Sequence, residues 1–131
     1  MCIVQEPAPF RPYQLGFVRT DLRRRLVDAV LRGEKTATAS LRQQYEPYTT
    51  DPLPRAGEQF VLVGYADEPL CTVEVTDVSV LPIADVELQF AIDEGEGYTS
   101  IADWHSAHLR YWAADSVTER TLVVCERFHV V

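Results

Sequence analysis

The feature that most constrains the fold is a long alternation of apolar and polar residues near the middle of the chain. Residues 59–65 are rich in strand-forming residues, and after a short turn apolar and polar residues alternate over residues 70–81. Two strand-like runs separated by a turn, the second with a period of two, predict an antiparallel hairpin. The alternation changes phase after Val75, which predicts a β-bulge near Thr76 and Asp77. We therefore expect a curved sheet built around this hairpin.

Helical segments are predicted on both sides of the hairpin. Thr20 is a favourable N-cap residue, apolar residues recur at helical spacing over residues 22–30, and Gly33 suits the left-handed residue that follows a helix. A second helix is predicted to begin after Ser100, and residues 120–131 form a final strand. Strands grouped around a hairpin, with helices inserted between them, predict an α+β fold rather than a doubly wound parallel sheet.

The length of 131 residues fits one domain. We expect residues 1–13, which contain three prolines and no periodicity, to form an extended N-terminal arm, and residues 14–131 to form the single domain. No apolar run of about 18 residues and no secretory signal are apparent, so we expect a cytoplasmic protein with no membrane partner. Three cysteines without paired spacing predict reduced thiols.

The charge of the chain argues against binding to a long nucleic acid. Twenty acidic residues against twelve basic ones give a net charge of −8, whereas a polyanion is normally bound by a basic face. Eight of the basic residues lie between Arg19 and Arg55, which leaves a local patch open as an alternative. The simpler interpretation of the charges at Arg23, Arg24 and Arg25 is a solvated helix face.

The chemistry of the chain is predicted to lie just after the first helix. Lys35 and Thr38 follow Gly33 closely, and a neutral lysine amine can accept the proton of a hydroxyl nucleophile. Side chains three residues apart face opposite sides of a regular strand, so this segment is not expected to be an ideal strand throughout. In the alternative interpretation, Thr36 and Thr38 are ordinary strand residues and Lys35 neutralises the C-terminus of the helix.

The chain resembles the ASCH domain family through two blocks of residues. The first is Gly33, Lys35 and Thr38; the second is Glu94-Gly95-Glu96-Gly97 followed by Ser100, Trp104 and His108. This resemblance implies a small β-barrel related to the PUA fold, with flanking helices, of a kind that often handles RNA or nucleosides. Ser40 stands where many members carry an arginine, for which Arg42 is a candidate substitute.

The resemblance extends to small bacterial amidohydrolases that remove the acetyl group from N4-acetylcytidine. It implies that Lys35, Thr38 and Glu94 are catalytic, with Glu96 as the rival acidic residue. Thr38 would attack the amide carbonyl and Lys35 would take its proton. Glu94 would either pass protons or orient Lys35.

A small nucleoside-like ligand is therefore the expected partner. The residues expected to bind it are Thr36, Ser40, Arg42, Tyr45, Glu96, Trp104 and His108. Tyr45 is a candidate for stacking on a base, with packing on the barrel as the alternative. No cofactor is implied, and His105 and His108 lack a third ligand at zinc-binding spacing. A ribonuclease and a non-catalytic RNA-binding module in translation or transcription are the alternatives, and the oligomeric state stays open.

Overall fold

The computed structural model describes residues 10–131, which form one five-stranded sheet and three α-helices. The elements in chain order are β1 (Pro12–Tyr13), α1 (Asp21–Leu31), β2 (Ala37–Leu41), β3 (Gln59–Val63), β4 (Pro69–Pro82), α2 (Leu88–Asp93), α3 (Ile101–Tyr111) and β5 (Leu122–Val130). The sheet curls into a half-barrel with the helices packed against it, so the predicted α+β fold with a barrel-like sheet is confirmed.

The predicted hairpin is formed by β3 and β4, and it sits at the centre of the sheet. The strand order is β1-β3-β4-β5-β2, with β1 and β3 parallel and the other neighbouring pairs antiparallel. The register of β4 against β5 shifts between Val75 and Asp77, which confirms the predicted bulge. An extra residue at this point bends β4 and increases its twist, which helps the sheet to curl.

Helix α1 begins and ends where the sequence predicts. The Thr20 hydroxyl accepts a hydrogen bond from the backbone N–H of Arg23 at 3.1 Å, and Gly33 has a φ of +81° just after the helix. Val27 and Val30 on its inner face join the apolar core formed with β3 and β4. The chain then reverses, and the backbone N–H of Lys35 donates to the carbonyl of Ala29 at 3.1 Å.

The solvated arginine face expected on α1 is wrong for Arg23, which is fully buried. Its guanidinium donates to the carbonyls of Leu15, Gly16 and Gly64 and pairs with the Asp67 carboxylate at 2.5 Å. A planar fork of five donors can satisfy several acceptors at once, so an arginine can be buried where backbone carbonyls converge. Arg23 therefore ties α1 to the segment before it and to the hairpin turn.

The end of the expected N-terminal arm belongs to the sheet. Residues 1–9 lie outside the described part of the chain, but Pro12 and Tyr13 form β1 and pair in parallel with β3. Tyr13 is only 6% exposed and packs edge-on against Phe128. The prolines suggested an arm, whereas pairing with β3 as an edge strand and burial of an aromatic ring hold the last residues of this segment in place.

Helix α3 covers the opposite half of the sheet. The Ser100 hydroxyl accepts from the backbone N–H of Asp103 at 3.1 Å, which confirms the predicted N-cap. Trp104 and Trp112 are buried in a second apolar cluster together with Ile83 and Val123. Within residues 10–131, no helix is long and apolar enough to cross a membrane.

Candidate functional site

Lys35 lies between the end of α1 and the start of β2, and its side chain is buried. It is only 2% exposed, and its Nζ donates to the carbonyl oxygens of Ala37 at 2.8 Å and Glu94 at 3.3 Å. Strand β2 begins at Ala37, so the segment from Lys35 to Thr38 is not a regular strand throughout, as the sequence predicts. The amine is held by two backbone acceptors from two parts of the chain.

The position of β2 at the edge of the sheet explains where these polar groups meet. Thr38 pairs with Glu126 on β5, and hydrogen bonds to β5 use alternate residues of β2, so Ala37 and Ala39 direct their backbone groups to the open edge. There, Lys35 donates to the Ala37 carbonyl and the Ala39 N–H donates to the carboxylate of Glu94. An unpaired strand edge needs hydrogen-bond partners, and Lys35 and Glu94 supply them.

Gly95 allows this segment to approach β2 closely. It has a φ of +72°, which is rarely adopted by other residues. A Cβ at this position would lie 2.4 Å from the backbone oxygen of Glu34 and 2.9 Å from the Cα of Lys35. The glycine of the second sequence block is therefore a packing requirement of the site.

The carboxylate of Glu94 is enclosed by groups from α3. It is 2% exposed, the indole Nε1 of Trp104 donates to its Oε1, and His108 Nε2 lies 3.5 Å from the same oxygen. Burial raises the pKa of Glu94, while the charge of Lys35 and the Trp104 hydrogen bond oppose this rise. His108 is fixed in turn, since its Nδ1 lies 2.9 Å from the carbonyl of Trp104 and its ring stacks on the indole.

Glu96, the rival acidic residue, occupies a different position from Glu94. Its Oε2 lies 3.8 Å from Lys35 Nζ, its side chain is 27% exposed, and it lines the cavity described below. Burial raises its pKa, and the charge of Lys35 opposes the rise. Glu94 is thus a buried partner fixed by several donors, whereas Glu96 faces open space.

The surroundings of Lys35 favour the neutral form of its amine more than water favours the neutral form of an exposed lysine. Desolvation by burial lowers its pKa from the usual value, and the charges of Glu94 and Glu96 act in the opposite direction. A neutral amine has two N–H donors, which the two carbonyl acceptors can satisfy. Its lone pair then remains for accepting a proton.

Thr38 is half-buried and lines the same cavity as Lys35. Its hydroxyl forms no hydrogen bond with any described residue, so it is available to a bound molecule. Ser40, two residues further along β2, also lines the cavity, and its Oγ lies 2.8 Å from the hydroxyl of Tyr45. Burial raises the pKa of Tyr45 to about 12, so this phenol stays protonated.

The cavity has a volume of about 930 Å³ and is lined by residues of α1, β1, β2, α3 and β5. Its charged lining residues comprise four basic and five acidic ones, namely Arg11, Arg25, Arg32, Lys35, Asp28, Asp51, Glu94, Glu96 and Glu126. Volumes of a few hundred to about 1,000 Å³ are typical of sites for small ligands. A lining of nearly balanced charge does not resemble a continuous basic groove for a polyanion.

Three of the residues expected to bind a ligand lie outside this cavity. Thr36 is exposed, and its hydroxyl is directed to the carbonyl of Asp93. Arg42 donates to the carbonyl of Glu46, away from the lining residues, and so does not replace an arginine at position 40. Trp104 is fully buried behind Glu94. The other four residues that were expected to bind a ligand do line the cavity, namely Ser40, Tyr45, Glu96 and His108.

Among the lining residues that were not identified from the sequence as part of the site are a buried carboxylate and its hydrogen-bond partner. Glu126 on β5 is 3% exposed, and Tyr13 on β1 donates from its hydroxyl to Glu126 Oε1 at 2.8 Å. The available signal was the alternation of the last strand, in which Glu126 falls in phase with the apolar residues Val124 and Phe128. A carboxylate on a buried face is uncommon without a partner or a function.

The thiol of Cys125 is a poor candidate nucleophile. Burial raises its pKa to about 12, and nearby carboxylates act in the same direction. A thiol in such surroundings stays protonated at neutral pH and is unreactive. No cysteine is among the described residues that line the cavity, so its candidate reactive groups are oxygen and nitrogen groups.

Glu126 predicts a specific dependence of stability on pH. Burial raises the pKa of its carboxyl group from 4.5 to about 7, so the folded protein binds the carboxyl proton more tightly than the unfolded chain does. The stabilisation of the folded state by this bound proton is complete below about pH 4.5 and is lost as the pH rises to about 7. We expect Glu126 alone to lower the free energy of unfolding by about 2–3 kcal/mol across this range.

Urea denaturation of the wild type and Glu126→Gln, at about pH 5 and about pH 8, measures this effect. Glutamine cannot ionise, so the variant should lose about 2–3 kcal/mol less than the wild type between the two pH values. The exposed Glu119→Gln variant, which does not line the cavity, serves as the control and should follow the wild type. Identical pH dependence in all three proteins would contradict the prediction.

The curled sheet and its flanking helices define a small α+β domain of PUA-like fold. A buried lysine lies just before β2 in this domain. The family model for the ASCH domain matches residues 14–131, and the chain therefore belongs to the ASCH domain family. ASCH domains are generally RNA-binding. A search among curated proteins finds no match.

Two solved bacterial structures are similar over most of the chain. An ASCH domain from Lactobacillus crispatus JV V101 is 30% identical with a TM-score of 0.79, covering 92% of this chain and 79% of that one. A protein of Enterococcus faecalis V583 is 28% identical with a TM-score of 0.79, covering 92% and 76%. A further structure, of hypothetical protein PH0355, with 16% identity, a TM-score of 0.56 and coverage of 84% and 94%, shares the fold alone.

Proposed function

We propose that this ASCH protein hydrolyses the exocyclic amide of an N4-acylated cytosine nucleoside, with Thr38 as nucleophile and Lys35 as its base. The observation that carries this proposal is the buried amine of Lys35, held by two backbone carbonyls beside a cavity that Thr38 also lines. Lysine can activate a hydroxyl only when its amine is neutral, and burial lowers its pKa in that direction.

Glu94 fits the role of orienting Lys35 better than that of a mobile proton carrier. Its carboxylate accepts from the Trp104 indole and the Ala39 N–H, and its own carbonyl accepts from Lys35. A group held by so many partners fixes the amine and supplies negative charge beside it. The charge stabilises the ammonium that forms when Lys35 takes the hydroxyl proton of Thr38.

The oxyanion of the tetrahedral intermediate needs a hydrogen-bond donor. The backbone N–H groups of Lys35, Thr36 and Ala39 are engaged with other acceptors, so they do not fill this role. Ser40 lies two residues beyond Thr38 on the same face of β2, and Tyr45 follows this strand. The hydroxyl groups of both residues line the cavity. We assign this pair to the oxyanion, because the phenol stays protonated and can donate.

The charge and size of the cavity support a single nucleoside rather than a long RNA. About 930 Å³ holds a small ligand, and acidic groups outnumber basic ones in the lining. A chain with a net charge of −8 gains little from the counterion release that drives polyanion binding.

RNA binding without catalysis is the second candidate function. It is favoured by family membership and by Arg11, Arg25 and Arg32, which all line the cavity. Such binding should weaken steeply as salt increases, whereas hydrolysis of an uncharged nucleoside should change little. A salt titration of both properties therefore separates the two candidates.

The direct test is chromatographic detection of cytidine after incubation of N4-acetylcytidine with the purified protein. The wild type is expected to release cytidine, Thr38→Ala is expected to lose this activity, and Thr38→Ser should retain part of it because serine keeps the hydroxyl. Thr36→Ala is the matched control, since the Thr36 side chain is exposed and outside the cavity. Absence of cytidine release by the wild type would reject this function in favour of RNA binding.

A further inference from the structure

Glu126 is a buried carboxyl group of the cavity for which the reaction above has no role. It lies directly across the strand pair from Thr38, with which it is in register, so both side chains project from the same face of the sheet. Residues paired in this way have Cα atoms about 5.5 Å apart. A group bonded to Thr38 Oγ1 is therefore within reach of the Glu126 carboxyl.

The two oxygens of Glu126 have different surroundings. Oε1 accepts from the Tyr13 hydroxyl at 2.8 Å, whereas Oε2 has no hydrogen-bond partner among the described residues. Glu126 and Tyr13 both line the cavity. The carboxyl group is thus fixed through one oxygen and free to exchange a proton with a ligand through the other.

We propose that Glu126 is the catalytic acid that protonates the leaving nitrogen of the acylated cytosine, and that Tyr13 is the residue that positions it. This inference rests on the proposed amide hydrolysis at Thr38. A cytosine amine is a poor leaving group as an anion, so cleavage of its bond to the acyl carbon requires a proton donor within hydrogen-bond reach.

The proton transfers balance over one turnover. In acylation, Thr38 Oγ1 bonds to the acyl carbon, Lys35 takes the hydroxyl proton, the bond from carbon to N4 breaks, and Glu126 gives its proton to N4. In deacylation, water attacks the ester carbon and gives a proton to the Glu126 carboxylate. The bond from carbon to Thr38 Oγ1 then breaks, and Lys35 returns its proton to that oxygen. The enzyme regains its starting protonation state.

The other two carboxyl groups near Lys35 are less suited to this step. Glu94 is occupied by the Trp104 indole and by the Ala39 N–H, both of which stabilise its ionised form. Glu96 is paired with Lys35 at 3.8 Å and lies in the loop after α2, not on the strand beside Thr38. Glu126 faces the nucleophile across the strand pair.

The surroundings of Glu126 keep it protonated near neutral pH. Burial raises its pKa to about 7, with the charge of Glu58 in the same direction, while the Tyr13 hydrogen bond and the charges of Arg11 and Lys35 lower it. The charge of Glu126 in turn contributes to the raised pKa of Tyr45, which lines the same cavity. An acid with a pKa near the working pH is suited to proton donation.

Substrates with different leaving groups test the proposal. With N4-acetylcytidine, Glu126→Gln should lower kcat by about 10²- to 10⁴-fold, because glutamine cannot donate the proton. With p-nitrophenyl acetate, whose leaving group departs as a stable anion, the first turnover should proceed at the wild-type rate. The acetyl ester of Thr38 should then accumulate and be detected by mass spectrometry, because deacylation has lost its base.

The controls separate failure of this inference from failure of the proposed function. The exposed Glu119→Gln should behave as wild type with both substrates. An active wild type with an equally active Glu126→Gln overturns the acid role alone, as does an equal loss on both substrates. A wild type that neither releases cytidine nor forms acetyl-Thr38 overturns the hydrolase and this inference together.

Tyr13→Phe provides a second test that does not require the Glu126 variant to fold. Loss of the hydroxyl removes a hydrogen bond that lowers the pKa of Glu126. In a plot of kcat against pH, the fall in rate near pH 7, where Glu126 loses its proton, should therefore move to higher pH. The maximal rate should be largely retained. A fall in rate at unchanged pH would overturn the assignment, because a merely structural role of Tyr13 changes the rate without moving this pKa.

Discussion

Replacing Lys35 by methionine is expected to lower kcat for N4-acetylcytidine by about 10²- to 10⁴-fold, the usual contribution of a general base. Methionine is similar in length and can occupy the buried space, but it cannot accept the proton of Thr38. The carbonyls of Ala37 and Glu94 lose a donor, so some loss of stability should accompany the loss of activity. Chromatographic assay of cytidine measures the first effect and urea denaturation measures the second.

The control for Lys35→Met is Arg120→Met, which removes one positive charge from an exposed position outside the cavity. It should retain wild-type activity, so any effect of net charge is excluded. An active wild type with an equally active Lys35→Met would show that the amine is not the base. Thr38 would then need another proton acceptor, and the family resemblance at these two positions would not extend to mechanism.

The protonation state of Lys35 can be measured without signal assignment, because it is the sole lysine of the chain. Incorporation of lysine labelled with ¹³C at Cε gives one side-chain resonance, whose shift against pH reports the pKa directly. Burial predicts a value below the usual one of about 10.4. A value at or above it would mean that the charges of Glu94 and Glu96 outweigh burial, and that an ammonium occupies the site.

Local signals in the sequence predicted several elements that surround Lys35, Thr38 and the second block. The Thr20 cap, Gly33 after α1, the bulge after Val75 and the Ser100 cap each depend on a few adjacent residues, and all are found in the structure. Such features follow from backbone geometry and hydrogen bonding within one element. They can therefore be identified without knowing how the elements pack.

The residues that sequence reasoning missed depend on contacts between distant segments. Tyr13 and Glu126 are 113 positions apart, and only the curling of the sheet brings β1 opposite β5. The burial of Arg23 likewise requires carbonyls from the preceding segment and the hairpin turn. Proline content suggested an exposed arm at Tyr13, and charge suggested an exposed helix face at Arg23. Partners supplied by the fold make burial of both side chains favourable.

Gly95→Ala is expected to reduce the free energy of unfolding by about 2–5 kcal/mol and to disrupt the site. A non-glycine residue with positive φ costs about 1–2 kcal/mol, and forcing a methyl group into a packed region adds about 1–3 kcal/mol. At Gly95 both apply, since φ is +72° and the added Cβ would lie 2.4 Å from the backbone oxygen of Glu34. The neighbours are backbone atoms, which cannot move aside as a flexible side chain can.

Gly97→Ala is the matched control, because it isolates the close approach from the backbone conformation. Gly97 has a φ of +88°, but a Cβ there would meet nothing within 4 Å. It should therefore show only the conformational cost of about 1–2 kcal/mol. Equal losses for the two variants in urea denaturation would contradict the packing argument. A larger loss for Gly95→Ala, accompanied by a change in the pKa of Lys35, would show that contact between the Glu94 segment and β2 is what keeps the amine buried.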